Sequence, residues 1–238
     1  MSFSDILREA AEEYGIALTL DHLAAFSLYQ QLLLSWNEKI NLTAITEPRE
    51  VAVKHMIDSL SCYDERFFPP GCTVADVGTG AGFPGIPLKI FRPDIRLTLI
   101  DSLNKRLIFL QDVVGQLGLK DVKLVHARAE EAGRQKEQRD RHQVALSRAV
   151  ARLNTLAELC LPLVRPGGYF IALKGAQYQE ELAEAQPAIK TLASSVDEVK
   201  NVSLPGLDDR RAVIYIRKSG PTPAGFPRRP GIPEKKPL

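Results

Sequence analysis

Cysteine is scarce in this chain. Its 238 residues include only Cys62, Cys72 and Cys160, an odd number without paired ligand spacing. That pattern argues against a disulfide framework and a zinc site, and buried thiols are expected instead. No run approaches the ~20 apolar residues of a membrane span, and Met1-Ser2-Phe3-Ser4-Asp5 lacks the basic-then-apolar order of a secretion signal. A cytoplasmic monomer with no membrane partner is expected. The four histidines, His22, His55, His126 and His142, show no metal-ligand spacing, so no metal is expected either. Net charge is slight, 31 basic against 29 acidic residues, which looks too mild for a nucleic-acid binder. Hydrophobic residues at 45% and charged residues at 25% are ordinary for a globular chain and exclude a disordered or fibrous one as a whole.

The slight charge is an average. From Arg217 to Leu238 there are six basic residues and one acid, which leaves 25 basic and 28 acidic residues in the preceding chain. The same segment holds six of the 16 prolines and three of the 16 glycines. Such a composition completes neither a helix nor a sheet, so a disordered, basic tail over 217–238 is expected.

Residues 1–66 read as a helical cap. Ser4 is placed to cap a first helix with Ile6, Leu7, Ala10, Ala11 and Tyr14 inward, and Thr19 opens a second. A third starts at Thr46, with Pro48 in its first turn and a core stripe of Val53, Met56, Ile57 and Leu60. Over 67–216 the pattern changes to β-rich runs alternating with helical stretches, the signature of βαβ units on a parallel sheet. Seven strands are expected: 73–77, 96–101, 122–126, 144–147, 169–174, 199–204 and 212–216. Ser102 is placed to cap the helix after the second. Pro205-Gly206-Leu207-Asp208-Asp209 leaves no room for a crossover, so the last two strands should form an antiparallel hairpin at one edge.

The strongest chemical signal is Asp76-Val77-Gly78-Thr79-Gly80-Ala81-Gly82-Phe83-Pro84-Gly85, between the first strand and a helix. Glycines there let backbone N–H groups approach a ligand. Gly80, Gly82 and Gly85 satisfy the dinucleotide fingerprint, with Asp101 near the place of a ribose-binding acid. Gly78, Gly80 and Gly82 after Asp76 equally satisfy the acid-x-G-x-G-x-G loop of methyltransferases. Charge favours the second. Asp76, Asp101 and Glu130 stand at or just beyond the ends of the first three strands, and an acidic rim suits S-adenosylmethionine, with its sulfonium and ammonium, better than the pyrophosphate of NAD. In that reading Asp76 fixes the loop or accepts from the methionyl ammonium, Asp101 holds the ribose hydroxyls, and Ala129-Glu130 meets the adenine edge. An NAD-dependent oxidoreductase and a non-catalytic RNA-binding adaptor are the rival classes.

The glycine loop, Leu99-Ile-Asp-Ser-Leu-Asn-Lys-Arg106, Ser147-Arg-Ala-Val-Ala-Arg152, Ala172-Leu-Lys-Gly175, and the segments Asn37 to Thr43 and His55 to Leu60 together resemble the RsmG (GidB) family. The resemblance runs from the second helix to the last strand. It implies a class I S-adenosylmethionine-dependent methyltransferase, an α/β fold with a Rossmann-like, seven-stranded doubly wound sheet and an N-terminal helical extension. It further implies methylation of N7 of a guanine in 16S rRNA, as naked RNA or in the small ribosomal subunit. The family's cofactor contacts fall on Gly78, Phe83, Ala129, Glu130 and Arg148, with Asp101 as the ribose acid; Phe83 is expected to pack against the cofactor.

Absences again fit this chemistry. There is no Asn-Pro-Pro-aromatic run after the fourth strand, where Ser147-Arg148-Ala149 stands instead, and no catalytic cysteine pair. Guanine N7 carries a free lone pair, so in-line displacement needs no general base and catalysis is mainly positioning. Arg148 and Lys174 are the candidate catalytic residues, the first bonding the cofactor carboxylate in preference to guanine O6, the second a phosphate. Lys39, Asn41 and His55 are expected to line an RNA cleft, with Lys174, Arg228 and Arg229 on phosphates. Deleting 217–238 is expected to weaken RNA binding while sparing the cofactor.

Overall fold

A computed structural model describes residues 1–238. Local hydrogen bonding sets the helix ends, and several differ from the expected ones. Ser2, not Ser4, caps α1 (Phe3–Tyr14): the Asp5 N–H donates to Ser2 Oγ at 3.2 Å and the Asp5 carboxylate accepts in return. Ser4 instead meets Ser27 across the interface with α2 (Leu20–Ile40), which Thr19 does cap. The next helix begins at α3 (Pro48–Glu50), later than Thr46, because the Glu47 carboxylate caps it. It continues through a wide π-type segment, Val51–Ile57, into α4 (Asp58–Leu60), and its expected stripe is buried.

The seven strands are β1 (Thr73–Val77), β2 (Arg96–Asp101), β3 (Val122–His126), β4 (His142–Arg148), β5 (Val164–Lys174), β6 (Ser194–Val202) and β7 (Arg211–Lys218), in the spatial order β3-β2-β1-β4-β5-β7-β6. The first five run parallel; β7 is antiparallel to both β5 and β6, so the expected hairpin forms one edge. Helices α5 (Gly85–Phe91), α6 (Asn104–Gln116), α7 (Ala129–Ala132), α8 (Leu153–Cys160) and α9 (Tyr178–Thr191) make or flank the crossovers. Ser102 does not cap α6, which Leu103 precedes; Asp101 Oδ1 instead accepts from the Leu103 N–H at 2.8 Å.

Strand alternation divides the core into two layers. Val74 faces a cluster that also holds Leu7, Phe26, Leu33 and Met56, so the N-terminal helices share one core with the sheet. Ala75 and Val77 face the other cluster, with α8 and α9. The strand order reverses beside β1, between β2 and β4, and the crevice at the carboxyl ends there is where such sheets bind ligands.

The expected tail disorder is overturned. Residues 219–238 form an ordered strap ending in α10 (Ile232–Lys235). Proline removes a donor but keeps its carbonyl, and arginines of the body use those acceptors. Arg139 donates to the carbonyls of Thr222, Pro223 and Phe226 at 2.6 to 3.2 Å, and Arg134 donates twice to that of Pro227 at 2.7 and 2.9 Å. Lys218 is wholly buried, donating to the Leu161 and Val164 carbonyls and pairing with Asp140.

Candidate active site

Asp76, one residue before the end of β1, is fully buried, and its Oδ2 accepts from Thr79 Oγ1 at 2.6 Å and from the Gly85 N–H at 2.9 Å. Burial raises its carboxyl to about 6, against the pull of those two bonds. Asp76 therefore fixes the loop from behind and does not line the cavity. Gly85 lets α5 pack closely on the sheet, since a Cβ there would sit 2.7 to 2.8 Å from Asp76 and Leu99. Gly82 also lies beneath the loop: at φ +98, a Cβ there would sit 2.7 to 2.8 Å from Ile86, Leu110 and the Tyr29 hydroxyl. That hydroxyl donates to the Ala81 carbonyl, tying α2 to the loop.

The loop, the ends of β2 and β4, and the start of α7 enclose a cavity of about 520 Å³, well within the range of small-molecule sites. Gly78, Gly80, Phe83, Asp101, Ala129, Glu130 and Arg148, all expected at the site, line it. Asp101 is 3% exposed; its Oδ2 accepts from the Gly80 N–H at 2.9 Å, with the Arg106 guanidinium at 3.4 Å. A carboxylate has about four lone-pair sites, and the Gly80 and Leu103 N–H groups and the long Arg106 contact use three, so one ribose hydroxyl is accepted directly and a second by displacing Arg106. Glu130, 7% exposed, accepts from the Gly231 N–H at 2.8 Å. Two recessed carboxylates and no phosphate cradle fit the cationic nucleoside S-adenosylmethionine.

At one end of the cavity three elements converge on Phe83. The His55 ring stacks on it at 4.4 Å and 16°, the Arg148 guanidinium stands 4.9 Å from its centroid, and Tyr29 tilts against it at 5.5 Å. Arg148 Nη1 donates to Asp58 Oδ2 at 2.8 Å and to the Lys54 carbonyl at 2.9 Å. Its Nη2 lies 3.4 Å from His55 Nδ1. A guanidinium has no acceptor, so Nδ1 carries the lone pair and the proton sits on Nε2, donating to Thr43 Oγ1 at 2.8 Å. Burial, helped by Arg148, lowers the His55 imidazole to about 3, so it is neutral at pH 7.

Two expected phosphate contacts are engaged elsewhere. Lys174 is 8% exposed in its side chain, paired with Glu181 at 2.6 Å and donating to the Ala151 carbonyl, because an ammonium withdrawn from water needs a counter-charge. Arg228 forks onto Glu158 and is closed to phosphate. Lys39, Asn41 and Arg229 are exposed, and none of the three lines the cavity. Reading the sequence missed roles for Arg106, Thr43, Tyr29, Pro233 and Glu234. Arg106 and Thr43 lie within family-like segments, whereas the others carry no local signal.

A family model described as GidB, rRNA small subunit methyltransferase G, matches residues 22–213. Two proteins called ribosomal RNA small subunit methyltransferase G align over nearly the full length. That of Alkaliphilus metalliredigens is 49% identical over 98% of each chain, and that of Desulforamulus reducens is 50% identical over 98% of this chain and 97% of its own. Among solved structures, M. jannaschii TYW2 in complex with AdoMet superposes with a TM-score of 0.55 at 12% identity, covering 76% of this chain and 80% of that one, a likeness of fold alone.

Proposed function

From the premise that this chain belongs to the GidB family of small-subunit rRNA methyltransferases, we propose that it transfers a methyl group from S-adenosylmethionine to N7 of one guanine in 16S rRNA, without a general base. The observation that carries this reading is the state of His55. It is the one imidazole lining the cavity, its pKa of about 3 makes it a very weak base, and both its nitrogens are engaged. A reaction that had to strip a proton from an exocyclic amine would be poorly served there. Guanine N7 presents a lone pair and asks only for alignment.

S-adenosylmethionine supplies an electrophilic methyl on a sulfonium. The chain's own residues hold and orient: Asp101 takes the ribose hydroxyls, Ala129 and Glu130 face the adenine, and Phe83 packs against the cofactor. Arg148 faces the methionyl carboxylate through Nη2, its charge moderated by Asp58. Keeping the guanidinium on that carboxylate and away from the base matters, because N7 becomes positive as the methyl transfers and a facing cation would oppose it. A stacked guanine hides the in-plane approach to N7, so the target lies in a loop or is flipped out. RNA contacts are assigned to the exposed Lys39, Asn41 and Arg229; His55, buried with both nitrogens engaged, shapes the cleft wall instead of binding RNA. The reading includes action as a cytoplasmic monomer.

The test offers methyl-labelled S-adenosylmethionine to small subunits, and to deproteinised RNA, from a strain lacking the enzyme, then maps the modified base. 7-Methylguanosine in 16S rRNA is the expected product. Label on an exocyclic amine or a ring carbon would refute the base-free mechanism.

A further inference from the structure

One part of the cavity wall comes from neither the sheet nor its crossover helices. Pro233 and Glu234, on the C-terminal strap, line it beside Thr155 and Leu159 of α8. Three contacts hold them there. The Gly231 N–H donates to Glu130 Oε1 at 2.8 Å, the Thr155 hydroxyl donates to the Pro233 carbonyl at 3.3 Å, and Arg228 grips the Glu158 carboxylate, whose side chain is 1% exposed, through its guanidinium and its own N–H. Pro233 is itself buried.

We infer that residues 231–234 belong to the cofactor site: the strap walls its adenine end and holds Glu130 in place. A carboxylate as recessed as Glu130 needs donors, and a backbone N–H on an ionised oxygen is among the stronger hydrogen bonds. With Oε1 held by Gly231, the other oxygen is left to accept from the adenine amino group, and Pro233 supplies an apolar surface for the ring. The strap is thus a positioning element for the methyl donor, acting through Glu130 and by direct contact. Its removal cannot spare cofactor binding. The inference rests on the orientation proposed above, with ribose on Asp101 and adenine toward Glu130.

The test uses the full chain and two fragments of the cofactor, adenosine and methionine, beside S-adenosylmethionine itself. Hydrogen exchange over 230–236 is expected to slow about tenfold or more with saturating S-adenosylmethionine or adenosine, and to stay unchanged with methionine. Pro233→Gly is expected to weaken S-adenosylmethionine and adenosine alike, by about three- to tenfold in Kd, without weakening methionine. Replacing Glu130 by Gln in both backgrounds adds a cycle: the two substitutions should be non-additive if the strap acts through that carboxylate. Bound adenosine that leaves exchange at the strap untouched, together with an unchanged Kd for Pro233→Gly, would overturn the inference. Protection by methionine instead of adenosine would overturn the cofactor orientation, a separate and recognisable failure.

Discussion

His55 links the chemistry of the site to the stability of the fold. Its folded pKa of about 3 lies far below the ordinary 6.5, so below pH 6.5 the unfolded chain takes up a proton that the folded chain refuses. Its contribution is therefore complete above pH 6.5 and is lost as pH falls toward 3. His142, lowered to about 4 by burial, acts in the same direction. Asp76, raised to about 6, acts in the opposite one, since its ionisation between pH 4 and 6 costs stability in the folded state. Comparing parent with variant isolates His55: between pH 7.5 and 5, His55→Gln should lose about 2 kcal/mol less than the parent, read from urea midpoints. A parallel pair of pH profiles would show that the imidazole is not withheld from protons. The acids of the site were legible from sequence because each stands at or beside a strand end, where topology alone delivers it to the crevice. Lys174 and Arg228 were misread because their counter-charges, Glu181 and Glu158, come from helices, and nothing local marks a cation as already paired.

At the scale of elements, the glycine loop works by tolerating both an unusual backbone and close neighbours. Gly82→Ala should destabilise by about 1 to 3 kcal/mol and weaken S-adenosylmethionine more than tenfold, because φ +98 disfavours any side chain and Tyr29, Ile86 and Leu110 occupy its space. Gly115→Ala, in α6 with nothing within 4 Å, should instead stabilise by about 0.5 to 1 kcal/mol. Thermal unfolding and cofactor titration of the pair separate steric need from generic glycine effects. The bounds of β1, β2 and β3 were legible to the residue, since each is a β-rich run closed by turn or helix signals. The start of β5 was not: the strand runs through Pro166-Gly167-Gly168, which reads as a turn and where the pairing with β4 is interrupted between Val164 and Tyr169. The strap was the largest misreading. Its order comes from arginines some 80 to 90 residues earlier in the chain bonding to bare carbonyls, and such bonds leave no periodicity in the strap's own sequence.

For the whole molecule, folding redistributes the basic segment. Lys218 and Arg228 are neutralised by Asp140 and Glu158, while Arg217, Arg229, Lys235 and Lys236 remain exposed. Binding to small-subunit RNA should therefore depend on salt less steeply than six cations would give. Arg229→Ala with Lys236→Ala should lower the slope of log K against log salt by about 1 to 2, measured by filter binding across a potassium series. An unchanged slope would move the RNA surface elsewhere on the body. The sheet has a consequence of a different kind. Inserting β7 between β5 and β6 leaves β6 and β3 as the two open edges. The first carries Asp197, Glu198 and Lys200, with a register break between Val196 and Glu198; the second is only five residues long, with Lys123 and His126 exposed. Charge, irregularity and shortness are the devices that keep a free edge from templating a foreign strand. The enzyme thus guards both margins of its sheet against aggregation without covering either.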